Sequence, residues 1–228
     1  MKFNTAILGL YVGKAKQRWQ GKPPSAIAKF DANGAQQLIE TGFISDAQAD
    51  LRLHGGPDKA VHHYPADHYS TWQAQKFETS FAFRPGSFGE NLSTAGVVES
   101  DVCLGDIFEL GTARVQISQG RQPCWKLNLH SRVPEMAKLL QQSGKTGWYY
   151  RVLQQGEVKV GDKLKLIERP LESWPLDRLI AARFDKELHR AIAKELCELP
   201  ELAKNWRQYF YKRAFSEFVE DHQPRLVG

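Results

Sequence analysis

Long hydrophobic runs are absent from this 228-residue chain. The first apolar stretch, from Ala6 to Val12, is far shorter than the roughly 20 residues that a membrane-spanning helix needs. A charged segment follows it, and no small-residue cleavage site is present, which argues against a secretory signal peptide. We therefore expect no membrane association, and we predict that this stretch forms the first β-strand.

Cysteine is scarce as well. The three cysteines, Cys103, Cys124 and Cys197, are odd in number and far apart, which disfavours a disulfide framework. No CxxC pair is present to hold a structural zinc ion. This usage is typical of proteins from a reducing compartment, so we expect a cytoplasmic location.

The chain carries no strong charge imbalance, but its modest excess is unevenly placed. The formal net charge is +5, from 31 Lys and Arg against 26 Asp and Glu. Residues 170–228 contain 10 of each sign, so the whole excess lies in residues 1–169. An excess of this size suits an anionic small molecule such as a phosphorylated cofactor and is too dilute to indicate nucleic acid. We expect no nucleic-acid partner.

The pattern of residues 1–169 predicts a mainly β (α+β) fold. Short apolar segments alternate with turns that contain Gly and Asp, as in a barrel-like domain with inserted helices. Strands are predicted at 3–12, 26–30, 107–110, 113–118, 148–153, 158–160 and 163–167, and helices at 65–77 and 133–142.

Composition changes after Arg169 and Pro170, and helical periodicity replaces the short strands. We predict a barrel domain over 1–169 and a three-helix extension over 170–228. The balanced charge of this extension disfavours a DNA-reading helix-turn-helix. The predicted apolar faces are Leu176, Leu179 and Ile180; Leu188, Ala191, Ile192 and Leu196; and Leu202, Trp206, Tyr209 and Phe210.

The segment SQGRQPCWKLN at 118–128 stands out because Cys124 follows a proline directly after a predicted strand. Arg121 and Lys126 flank this cysteine, and nearby cations favour the thiolate that attacks electrophiles or binds metals. A half-buried packing cysteine is the alternative interpretation, since cysteine is among the most buried residue types. We interpret Cys103 and Cys197, which lie in apolar settings, as packing residues.

With these segments in order, the chain resembles the MOSC family, named for the molybdenum-cofactor sulfurase C-terminus, and most closely its bacterial YiiM-type branch. The resemblance covers most of residues 10–167 and extends to the helical tail. In this branch a proline usually precedes the arginine of the cysteine motif, whereas Gly120 occupies that position here. The matching segments are GK at 13–14, QADLRLHGGPDKAVHHY at 48–64, FGENLSTAG at 88–96, GDIFELG at 105–111, SQGRQPCWKLN at 118–128 and GKTGWYYRVLQQGEV at 144–158.

The resemblance implies a MOSC-type β-barrel that binds a molybdenum-pterin cofactor, with Cys124 as the metal ligand. A soft thiolate suits a metal that the pterin sulfurs already hold. The implied activity is reduction of N-hydroxylated compounds, including hydroxylaminopurine-type base analogues, with electrons from a separate flavoprotein reductase. Candidates for the cofactor phosphate and for tuning the thiolate are Lys14, Lys59, Arg121 and Lys126; candidates for contacts with pterin or substrate are His54 and Asn91.

A second interpretation remains open. The chain could carry cofactor, or transfer sulfur through a persulfide on Cys124, without turning over a substrate. MOSC domains are fused to pyridoxal-phosphate sulfurases in some proteins, whereas this chain has no aminotransferase-like segment. A homodimer is compatible with the amphipathic helical tail.

Overall fold

A computed structural model describes residues 3–49 and 55–228. Eleven strands occur in this part of the chain: β1 (Asn4–Val12), β2 (Phe30–Asp31), β3 (Gln36–Ile39), β4 (Gly42–Phe43), β5 (Val61–His63), β6 (Leu92–Thr94), β7 (Ile107–Leu110), β8 (Ala113–Gly120), β9 (Trp148–Gln154), β10 (Gly156–Val158) and β11 (Lys163–Glu168).

Seven of these strands form a closed barrel in the order β11-β7-β8-β9-β5-β6-β1. The barrel closes because β1 pairs with β6 on one side and with β11 on the other, where Thr5 lies opposite Leu164. Neighbouring strands are antiparallel except β5 and β6. Strand β2 extends β1 at the rim, and β10, β3 and β4 form a separate small sheet. The predicted mainly β class is therefore confirmed.

Seven α-helices accompany the strands in the described part of the chain. The first three are inserted in the barrel region and the rest follow it. No helix within residues 3–49 and 55–228 is long and apolar enough to cross a membrane. The helices are α1 (Tyr69–Ala74), α2 (Lys126–Ser131), α3 (Met136–Ser143), α4 (Leu176–Phe184), α5 (Arg190–Glu198), α6 (Lys204–Phe215) and α7 (Gln223–Leu226).

Four predicted elements had the wrong bounds, and one of them is the helix predicted at 133–142, which begins at Met136. The predicted strand at 26–30 contributes only Phe30, because Ser25 makes an isolated bridge to Lys16 and the chain then runs without pairing until β2. The predicted helix at 65–77 is shorter, since Ala66–His68 forms a 3-10 turn before α1. The predicted strand at 158–160 lies at 156–158, because the chain pairs with β3 there.

The barrel interior and the helical extension share one buried apolar cluster. Phe108, Val115 and Ile117 are fully buried inside the barrel, as their alternation along β7 and β8 predicts. The predicted helix faces pack onto the same cluster, except that Ala191 is exposed and Ala193 is buried instead. The members from the extension include Trp174, Leu176, Leu179, Ile180, Leu196, Trp206 and Phe210.

Gly120 explains how closely the extension approaches the barrel. A Cβ atom at this position would lie 2.5 Å from Ile180 Cγ1 on α4 and 3.2 Å from the Trp206 ring on α6. Backbone hydrogen bonds join the same surfaces, because the Ala203 N–H donates to the Ser118 carbonyl at 2.9 Å. Glycine at 120 therefore permits helix packing against the strand that leads to Cys124.

We predict that Gly120→Ala destabilises the protein by about 1–3 kcal/mol, because the added methyl group overpacks this contact. Urea denaturation of Gly120→Ala, Ile180→Ala and the double variant would measure the coupling. The cost of Gly120→Ala should fall when Ile180 is already truncated. Fully additive costs would contradict the proposed contact.

Candidate functional site

The Cys124 loop, residues 121–125, connects the end of β8 to the start of α2. The Arg121 N–H donates to the Gly147 carbonyl at 3.0 Å, which fixes the loop to the end of the barrel. From the other side, the Trp125 N–H donates to the Arg225 carbonyl at 2.7 Å, and Arg225 Nη1 donates to the Pro123 carbonyl at 2.6 Å. Cys124, in the middle of this loop, is half-buried.

Two cavities meet at the Cys124 loop. The first has a volume of about 100 Å³ and extends into the barrel end, and the second has a volume of about 600 Å³ and extends toward α6 and the C-terminal segment. Cys124 thus faces both a narrow and a wide space. The residues that line both cavities are Lys59, Gln122, Cys124, Lys126 and Tyr149.

The first cavity contains buried polar atoms that lack a hydrogen-bond partner among the described residues: Nε2 of His62 and Nη1 of Arg121. Buried polar groups are normally hydrogen-bonded, so these atoms are available to a ligand that enters the cavity. Burial, followed by the nearby Arg121 charge, lowers the pKa of His62 well below its usual value. His62 is therefore a neutral hydrogen-bonding group beside a fixed cation.

A buried ion pair forms another wall of the first cavity. Lys29 Nζ and the Asp46 carboxylate lie 2.5 Å apart, and both side chains are about 95% buried. Asp46 also accepts hydrogen bonds from the Gly13 N–H at 2.6 Å and from Asn91 Nδ2 at 2.8 Å. Burial lowers the pKa of Lys29, while the Asp46 charge opposes that change. Neither Lys29 nor Asp46 was recognised in the sequence.

The amide of Asn91 is already engaged by the protein. Its Oδ1 accepts the His62 N–H at 3.2 Å, and its Nδ2 donates to the Tyr11 carbonyl at 3.1 Å as well as to Asp46. The FGENL segment thus orients the strand that carries His62. Asn91 lines the first cavity through a side chain whose position is fixed.

Two lysines lie beside Cys124. Burial lowers the pKa of Lys59, while Asp58 and a Cys124 thiolate favour its charged form. Lys126 is buried, donates to the Pro24 carbonyl at 3.4 Å, and lies 5.9 Å from the centre of the Trp125 ring. Burial also raises the pKa of Tyr149, so its hydroxyl keeps its proton at neutral pH. Lys59, Lys126 and Tyr149 thus line the same two cavities as Cys124.

The structure brings together five of the seven predicted site residues. Asn91 and Arg121 line the first cavity, and Lys59, Cys124 and Lys126 line both. Lys14 is exposed and does not line either cavity, and His54 lies outside the described residues. The roles proposed for these side chains remain predictions.

The other two cysteines occupy different environments. Cys103 is buried, and burial followed by the Asp106 charge raises the pKa of its thiol to about 11. Cys197 lies on α5, where its Sγ donates to the Lys194 carbonyl at 3.2 Å. Neither residue lines the two cavities at the Cys124 loop.

The closed barrel with a cysteine loop between two cation-lined cavities defines the structural class, and comparisons with known proteins identify the family. The MOSC domain model matches residues 50–165, and a model described as "YiiM-like, 3-alpha helix domain" matches residues 174–213. The chain therefore belongs to the MOSC family.

Individual relatives agree with this assignment. The chain is 40% identical to Protein YiiM of Escherichia coli over 223 residues, which cover 96% of this chain and 97% of that protein. The crystal structure of YiiM from Escherichia coli superposes with a TM-score of 0.83 at 33% identity, covering 99% of this chain and all of that one. A Gibberella moniliformis protein named "Reductase" is 37% identical over 72% of this chain, which corresponds to 30% of the fungal protein.

We predict that Asp46→Ala destabilises the protein by about 3–5 kcal/mol, because it leaves the Lys29 ammonium buried without its carboxylate. Replacing both members with apolar residues, as in Lys29→Met/Asp46→Leu, should cost less. Urea denaturation at pH 7 measures both effects.

Glu109→Ala is the matched control, because the Lys165–Glu109 pair is exposed. Its loss should change the free energy of unfolding by less than about 1 kcal/mol. An Asp46→Ala variant as stable as this control would contradict the structural role of the buried pair.

Proposed function

We propose that this protein binds a molybdenum-pterin cofactor through Cys124 and reduces N-hydroxylated compounds. The observation that carries the proposal is the position of Cys124 where two cation-lined cavities meet. The cofactor would bind at the Cys124 loop, and the second cavity would admit substrate to the metal. Membership of the MOSC family and a relative named "Reductase" support the same conclusion.

The residues of the first cavity fit such a cofactor. A half-buried thiol supplies the soft ligand that suits a sulfur-bound metal. Arg121 and Lys126 provide positive charge for a phosphate, and Arg121 Nη1 has no hydrogen-bond partner among the described residues. The neutral His62 offers Nε2 to a polar edge of a pterin ring.

The reaction consumes two electrons and two protons: R–NH–OH becomes R–NH2 and water as the N–O bond breaks. When bound, the cofactor would supply the two electrons and a Lewis-acidic metal. Lys59, which lines both cavities, would donate a proton from Nζ to the departing oxygen, because burial lowers its pKa and makes it a stronger acid than a surface lysine. Tyr149 borders the same space and contributes a protonated hydroxyl.

The electrons would come from a separate protein, a flavoprotein reductase. A longer fungal protein named "Reductase", of which the segment similar to this chain makes up 30%, is consistent with a reductive activity but does not identify the electron donor. A flavin donor can pass the two electrons that the reaction needs.

We predict that Cys124→Ala abolishes N-hydroxyl reduction while the protein remains folded, because the half-buried thiol adds little to the core. Cofactor-loaded protein would be assayed with benzylhydroxylamine or 6-hydroxylaminopurine and reduced methyl viologen as the electron donor. Bound molybdenum would be measured by mass spectrometry, and Cys197→Ala is the matched control.

The same assay distinguishes an enzyme that reduces a substrate from a protein that only carries cofactor or sulfur. A cofactor-loaded protein without turnover, whose Cys124 acquires a persulfide from a sulfur donor, would contradict the reductase proposal and favour the carrier. A fully active Cys124→Ala variant would remove Cys124 as the metal ligand.

A further inference from the structure

The second cavity lies between the barrel and the helical extension. At about 600 Å³ it has the size of a site for a ligand of mononucleotide size. Lys59 and Tyr149 come from the barrel, and Arg183, Tyr209 and Lys212 come from α4 and α6. The cavity begins at Cys124, so a ligand in it would reach the loop that carries the thiol.

The charge of this cavity is strongly positive. Its single carboxylate, Glu220, is already bound by Arg183 through hydrogen bonds of 2.7 and 3.0 Å. Three further cations of the lining therefore outnumber its carboxylates, which favours an anionic ligand. These cations are Lys126, Lys212 and Arg225.

Two arginines of the lining retain polar atoms for a ligand. Arg183 is only 3% exposed, and its Nε has no hydrogen-bond partner among the described residues; the same holds for Nε of Arg225. The Arg183 guanidinium lies 3.5 Å from the centre of the Tyr209 ring and is fixed by Glu220. A pre-positioned guanidinium with an unsatisfied N–H is suited to an oxyanion.

The remaining lining is aromatic. Four rings, those of Trp125, Tyr149, Tyr209 and Phe218, border the cavity. Aromatic rings stack on purine and pyrimidine bases, and this stacking tolerates any base because every base has a π-face. Rings and cations in one cavity match a ligand that joins a planar base to a phosphate.

We propose that the second cavity binds nucleoside monophosphates, so that the substrates are N-hydroxylated nucleotides rather than free bases. The identity of the reacting group rests on the proposed function, whereas nucleotide binding rests on the cavity alone. The cations hold the phosphate, and the aromatic rings hold the base near Cys124.

A phosphate on a fused heterocycle could also come from the pterin cofactor itself. The two sources differ in what cofactor loading does. A substrate site stays open beside the bound cofactor, whereas a site for the cofactor's own phosphate is filled by it.

The test is isothermal titration of AMP and adenosine into the protein with and without cofactor, at one fixed ionic strength. We expect AMP to bind at least about tenfold more tightly than adenosine in both forms, since hydrogen bonds from cationic side chains to phosphate are stronger than neutral ones. The loaded enzyme should also show a higher kcat/KM for the 5′-monophosphate of N6-hydroxyadenosine than for 6-hydroxylaminopurine.

Lys212→Gln is the variant of choice, because this side chain is exposed and its loss should leave the fold intact. It should reduce the preference for AMP over adenosine severalfold without changing the affinity for adenosine. Lys138→Gln is the matched control. Lys138, on α3, pairs with Glu135 just before that helix and does not line the cavity.

Equal affinity for AMP and adenosine would overturn the proposal, and so would loss of AMP binding when the cofactor is loaded. An unchanged AMP preference in Lys212→Gln would also overturn the assigned phosphate position. If AMP binds as expected but the loaded enzyme reduces no N-hydroxylated compound, the proposed reaction fails while the nucleotide site stands.

Discussion

The hydrogen bond from the Arg121 N–H to the Gly147 carbonyl is the contact on which the site depends, because it fixes where the Cys124 loop leaves the barrel. Gly147 is suited to this role because its φ is +70° and a Cβ would lie 2.3 Å from the His63 carbonyl. Its own N–H donates to the Glu99 carboxylate at 2.7 Å, and Glu99 also contacts His68 Nε2 at 2.6 Å. A chain of buried hydrogen bonds through Gly147, Glu99 and His68 thus fixes the start of the Cys124 loop.

The other side of the Cys124 loop is held by residues that lie about a hundred positions later in the sequence. Arg225 holds the Pro123 carbonyl through Nη1 and the Gln141 side chain through Nη2, at 2.6 and 2.7 Å. Gln122 accepts a hydrogen bond from Trp206 Nε1 at 3.2 Å. The loop is therefore held between barrel and extension, which restricts the positions that Cys124 can adopt.

The parts of the fold that sequence reasoning predicted are those with local signals. Strands β7 and β8 show alternating burial, and the helices after residue 170 show apolar faces, so both were predicted. Strand β5 has three residues, all buried, and offers no period to recognise. Helix α2 was missed because it begins two residues after Cys124 and has only six residues.

Site residues were predicted only where they lie in a recognisable sequence motif. Cys124, Arg121 and Lys126 are adjacent in sequence, and the match to a known family drew attention to Lys59 and Asn91. No sequence motif marks the Lys29–Asp46 pair or Arg225. Each of these residues contacts a partner that is distant in sequence, and the contact forms only in the folded protein. A buried ion pair between residues that are distant in sequence leaves no local pattern in the amino-acid sequence.

The predicted boundary near residue 170 runs through the site itself. The second cavity takes Lys59 and Tyr149 from one side of that boundary and Arg183 and Tyr209 from the other. Gly120 allows the two sides to come this close, because Ile180 occupies the space that any side chain at 120 would need. The helical extension is thus a wall of the cavity that Cys124 faces, and a change in how it packs would alter that cavity before it altered the barrel.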